Sequence, residues 1–212
     1  MRHSHFRNVC LFAALLGTAV AASPHRPRYT LVDLGTLGDS FTSGNAVNAL
    51  GQAIGASSTP GDAAVHAFRY SNGLMTDLGT FGGSYSYAFA INGITQVTGM
   101  AATPGDAASD AFLYSGGKTA DLGTLGGSSS GGTAINVFDQ VTGFAHTAGD
   151  AAHHAFPYSN GKMIDLGALG GSYSFASAIN VHGQVTGTSS HGWGRGLSRL
   201  PVQSRYWDGR PQ

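Results

Sequence analysis

The string Asp-Leu-Gly-Thr-Leu-Gly occurs four times in this chain, with Phe81 and Ala168 as its only internal substitutions. The copies begin at Asp33, Asp77, Asp121 and Asp165, each 44 residues after the last. A fixed period of that size makes the chain an array of one supersecondary unit, whose apolar faces are buried only by stacking on its neighbours. Any fold proposed for it must repeat four times.

Four segments recur within each period. The first contains His66–Tyr70, echoed at Asp110–Tyr114 and His154–Tyr158. Its alternation of His66, Phe68 and Tyr70 on one side is strand periodicity. Ser71-Asn-Gly73, Ser115-Gly-Gly117 and Ser159-Asn-Gly161 follow as hairpin turns. The second segment leads into the Asp-Leu-Gly motif, as in Leu74–Leu78. A turn at Gly82-Gly83, Gly126-Gly127 or Gly170-Gly171 opens the third segment, which ends at Asn48, Asn92, Asn136 or Asn180. The fourth is Gln52–Gly55, Gln96–Gly99, Gln140–Gly143 and Gln184–Gly187, and a polar Gly-Asp loop returns to the next unit.

The expected fold is therefore all-β. It is a β-propeller-like array of four four-stranded antiparallel repeats of 44 residues, with the repeat domain at 29–212 and its last copy degenerate. The chain enters the array at a second-strand position, Tyr29. It ends with Ser204–Gly209, which resembles a first strand and its turn. Pairing of these N- and C-terminal strands would close the ring.

Composition agrees. The chain has 33 Gly, two Lys (Lys118 and Lys162) and no Glu, which is poor helix material, while 42% hydrophobic residues argue against disorder. A net charge of zero favours neither nucleic acid nor an anionic surface. Residues 1–22 read as a signal peptide, with Arg2 and Arg7 ahead of the apolar run Val9–Val20 and the small exit residues Ala21 and Ala22. A linker at 23–28 follows. Cleavage would remove Cys10, the only cysteine, so the expected mature protein has no disulfide and no thiolate chemistry. No later stretch is apolar enough to span a bilayer as a helix.

His-Ala-Phe at 66–68 and 154–156, Asp-Leu-Gly-Thr-Leu-Gly-Gly at 121–127 and Ile-Asn…Gly-Gln-Val-Thr-Gly at 179–187 resemble the HAF-repeat family of bacterial extracellular proteins. The resemblance covers about Tyr29–Gly187. It implies an exported protein of propeller-like repeats and carries over no catalytic residue. The chain departs from the pattern at Asp110, which replaces the His, and in the last copy, which lacks His-Ala-Phe.

Four groups of residues invite chemistry. The recurring Asp33, Asp77, Asp121 and Asp165 are expected to accept a local backbone N–H in an Asx-type turn rather than to form a carboxylate ring. Asp62, Asp106 and Asp150 suggest calcium, but an Asp with one or two carbonyls falls short of the six to eight oxygens calcium takes, so a surface turn is expected. His146, His153 and His154 have the donor chemistry for zinc, yet adjacent strand residues face opposite ways. His182, His191, Trp193, Arg195 and Arg199 mark where the last unit departs from the repeat. With no nucleophile elbow, phosphate loop or Glu, no catalytic, metal or cofactor residue is assigned.

The functional expectation is a secreted, non-enzymatic repeat protein acting as a binding or structural module. Its partner would be an extracellular protein or glycan, and the protein would be a monomer or homodimer. The alternative is a glycan-binding or glycan-active protein working through region 182–199.

Overall fold

The computed structural model describes residues 29–192, and these form an all-β structure. The first unit contributes β1 (Thr42–Val47), β2 (Ala53–Ser58), β3 (Val65–Ser71) and β4 (Leu74–Asp77), which pair in that order as an antiparallel sheet. The second contributes β5 (Ser86–Ile91), β6 (Val97–Ala102), β7 (Ser109–Ser115) and β8 (Lys118–Asp121). The third contributes β9 (Gly126–Ile135), β10 (Val141–Thr147), β11 (His153–Ser159) and β12 (Lys162–Met163). β13 (Gly170–Ile179) and β14 (Val185–His191) begin the fourth.

The antiparallel meander is present in the first three units but starts at the third segment, running third to fourth to first to second, and no pairing joins a second segment to the third that follows it. The meander's turns are the expected ones, with positive φ at Asn72 and Gly73 and at Asn160 and Gly161, as the mirror-image hairpin turn requires. The units after the first are not separate sheets, however. The start of each first strand runs parallel to the third strand of the next unit, as in Ser109 beside Ser129 and His153 beside Tyr173. A bridge between Val65 and Tyr85 does the same for the first unit. The result is a curled, half-barrel sheet in which β5, β6, β7, β9, β10, β11, β13 and β14 form one continuous path, with β8 and β12 paired to its sides.

Two further differences from expectation have local causes. The glycine pairs Gly126-Gly127 and Gly170-Gly171 lie inside β9 and β13 rather than in turns, because Gly126 pairs with Thr147 and Gly170 with His191. β12 is cut to two residues because Pro157 stands opposite Ile164. Proline has no N–H to donate, so only the Ile164 N–H to Pro157 carbonyl bond survives. Residues 29–33, expected as a second strand, hold no strand among the described residues.

One fully buried phenylalanine anchors each of three clusters. Phe68 packs with Leu34 and Ala53. Phe112 packs with Leu78, Ala88 and Val97, and Phe156 with Ala111, Leu122 and Val141. Each third strand carries a one-residue bulge, at Asn45, Phe89, Thr133 and Ser177. The bulge brings the carbonyls of Ser43, Tyr87, Gly131 and Phe175 against Gly55, Gly99, Gly143 and Gly187, where a Cβ would collide with backbone. That is why each copy of this strand keeps its glycine.

Candidate functional site

The Asp-Leu-Gly motif is a structural corner in all four units. Gly35, Gly79, Gly123 and Gly167 donate their N–H to the carboxylate two residues back, at 2.9, 2.7, 2.7 and 2.6 Å. The expected Asx turn is thus present in every copy. The same carboxylates hold the histidines of the His-Ala-Phe strands. His66 Nδ1 lies 2.8 Å from Asp77, and His154 Nδ1 lies 2.8 Å from Asp165. A carboxylate only accepts, so Nδ1 carries the proton in both pairs.

In the intervening unit Asp110 takes the histidine's place and faces Asp121. Burial raises the pKa of Asp110 above its ordinary value, and the adjacent Asp121 charge raises it further.

A buried hydroxyl ties each corner to the unit before it. Ser86 donates to the Gly79 carbonyl and accepts the Ala67 N–H. Ser130 and Ser174 repeat this with Gly123 and Ala111, and with Gly167 and Ala155. These serines were not singled out from the sequence, although their 44-residue spacing marked them.

The Gly-Asp loops are turns. Gly105 and Asp106 both have positive φ. Asp106 accepts the backbone N–H and hydroxyl of Ser84, at 2.7 and 2.6 Å, and Asp150 does the same with Ser128. Asp62 is bonded to Ser40. All three carboxyls are held below their ordinary pKa, Asp62 mainly by Ser58, Asp106 by the Ser84 hydroxyl and Asp150 by the Ser128 N–H. Their oxygens are engaged by protein donors.

The histidines separate as strand alternation requires. His154 meets Asp165, while His153 lies on the other face with its Nδ1 3.0 Å from the Ser174 carbonyl. There it joins a column of near-parallel rings. Phe144 and His153 have centroids 4.9 Å apart, and His153 and Tyr173 4.8 Å, with interplanar angles of 10° and 14°. Phe175 stacks on Phe144 at 5.7 Å, and His146 meets His153 edge-on at 5.4 Å. His146 also reaches Asp150 at 3.2 Å. Among the described residues no group of three metal-ligating side chains is assembled.

This column is a chemical break in the repeat within the described residues. One unit earlier the four stacking positions are Met100, Ser109, Ser129 and Gly131. Comparing aligned copies position by position would have found it. Of the expected symmetry-breaking region, His182 and His191 are described and exposed, and Trp193, Arg195 and Arg199 lie outside the described residues.

The array's open end has its own geometry. The fourth cluster contains Ala155, Leu166, Ala176 and Val185 but no phenylalanine among the described residues. In its place is an open groove lined by Leu166, Phe175, Val185 and Gly187. No helix among the described residues is long and apolar enough to cross a membrane. No family model matches the chain, and no curated protein matches it.

Proposed function

We propose that this chain is an exported, non-enzymatic repeat protein of the HAF-repeat kind, and that it works by binding an extracellular partner. The signal-like residues 1–22 support export to the periplasm or beyond the cell. The observation that carries the binding reading is the Phe144–His153–Tyr173 column. The repeated carboxylates and imidazoles are occupied by turns and by one another, whereas this column is present at one junction and leaves Tyr173 45% exposed. A rigid aromatic surface supplies contact area at low entropic cost.

The finer architecture belongs to the same reading, as a four-repeat propeller closed by its ends. Two observations support closure. β14 ends the strand path beside a groove that lacks its phenylalanine. Residues 29–33 lack the first strand that β4, β8 and β12 each pair with, and Tyr29 and Leu31 are 61% and 63% exposed. One first strand would serve both ends, and 204–209, outside the described residues, has the matching pattern.

A glycan ligand is the second reading, favoured by Tyr173, because sugar rings pack on exposed aromatic faces. Glycan-array and peptide-display binding of wild type against Tyr173→Ala tests both. Binding lost with Tyr173→Ala supports the site. Binding that survives the substitution, or turnover of any polysaccharide offered, overturns it.

A further inference from the structure

The hairpins that join third to fourth strands are built alike. In each, the leading Asn accepts two backbone N–H bonds with its Oδ1, as Asn92 does from Ile94 and Gln96. Its Nδ2 donates to the Gln that closes the loop and to the backbone carbonyl of the next unit's Asn. Asn48 reaches Asn92, Asn92 reaches Asn136, and Asn136 reaches Asn180, at 3.1, 2.8 and 2.9 Å. This ladder locks successive tips side by side along one rim.

The rim is apolar. Among the described residues eleven large hydrophobic side chains are exposed, and six of them stand at these tips: Val47, Leu50, Ile94, Val137, Phe138 and Val181. Leu50, Ile94 and Phe138 occupy the same loop position in successive units and are 63%, 54% and 65% exposed. The tips contain no Lys or Arg. Their single acid, Asp139, accepts from Gln96 in the neighbouring unit. Contiguous exposed apolar side chains of this kind mark interaction sites, and interface cores are depleted of charge.

We infer that this rim is the contact between two copies of the chain. A rim without cations gains nothing from anionic lipid, and its one acid, Asp139, is already bonded to Gln96. Its complement is a second apolar row, and each copy carries one. Two rows running antiparallel about a two-fold axis set the Ile94 tip of one copy against the Phe138 tip of the other, with knobs entering the gaps between tips. The chain's formal net charge of zero opposes such pairing little.

Sedimentation equilibrium over a wide concentration range tests this on the full-length expressed chain. Wild type is expected to dimerise. Ile94→Asp with Phe138→Asp should weaken the dimer by about tenfold or more while leaving the far-ultraviolet spectrum unchanged. Ile94→Ser with Phe138→Ser is the milder pair should the acidic one misfold, and it should weaken the dimer in the same direction. A wild type that stays monomeric at every concentration, including one that sediments as a monomer with zwitterionic vesicles, overturns the inference. So does a dimer that the serine pair leaves unchanged.

Discussion

Asp110 faces Asp121 at the place where neighbouring units set His66 on Asp77 and His154 on Asp165. One unit of three thus has two carboxyls where the others have a hydrogen-bonded His–Asp couple. Asp110 has its pKa raised in the fold, first by burial and then by Asp121. A raised carboxyl favours folding fully below its unfolded value, and that contribution is lost as pH rises through the folded value. At neutral pH the two facing carboxyls are a liability. Asp110→Asn should therefore stabilise the protein at pH 7 by about 0.5 kcal/mol after solvent screening, and Asp110→His by a similar amount. The gain should vanish in acid, below the unfolded carboxyl range. Thermal unfolding at several pH values measures both.

Asp106 has the opposite sign. Its pKa is lowered by the Ser84 hydroxyl and then the Ser84 N–H. The stability it contributes is present above its unfolded value, near 3.8, and is lost as pH falls through the lower folded value. Asp106→Asn should be less stable than wild type at pH 7. The two should converge in acid, and urea unfolding at pH 7 and pH 2 would show whether they do.

Ser130 is fully buried and makes two bonds of 2.6 and 2.7 Å, donating to the Gly123 carbonyl and accepting the Ala111 N–H. Ser130→Ala removes both at once from a site without water access. The expected loss is about 2 kcal/mol, read as a lower urea midpoint at unchanged slope.

Two backbone substitutions should move stability in opposite directions. Gly99→Ala drives a methyl into the Tyr87 carbonyl, which backbone cannot evade cheaply, and should cost about 3 kcal/mol. Thr95 has φ of 73° at the loop position that Gly51 and Gly183 fill in other units. A β-branched residue is strained there, so Thr95→Gly should gain about 0.5–1 kcal/mol net of glycine's added chain entropy. Differential scanning calorimetry of the pair tests the contrast.

Much of this was legible from residues alone, and the reasons are local. An Asx turn needs one Asp and an N–H two residues on, and a mirror-image hairpin turn needs Asn-Gly or Gly-Gly. Both signals sit within a few residues, so Asp77 and Asn72 could be read directly. The strand limits at Gly126 and Gly170 could not, because a glycine pair is a turn or a strand depending on what lies beside it, here Thr147 and His191. The truncated β12 was legible in Pro157 only once its opposite residue, Ile164, was known.

By itself, the sequence determined the 44-residue period, the all-β character and the turns, since these rest on spacing and on each residue's own backbone preferences. Tertiary structure decided the rest. Ser130 meets Ala111 across 19 residues, Asn92 meets Asn136 across 44, and Phe144, His153 and Tyr173 form one column from three strands. Those partners are set by how one unit stacks on the next, and stacking is a property of packed surfaces rather than of any local run of residues.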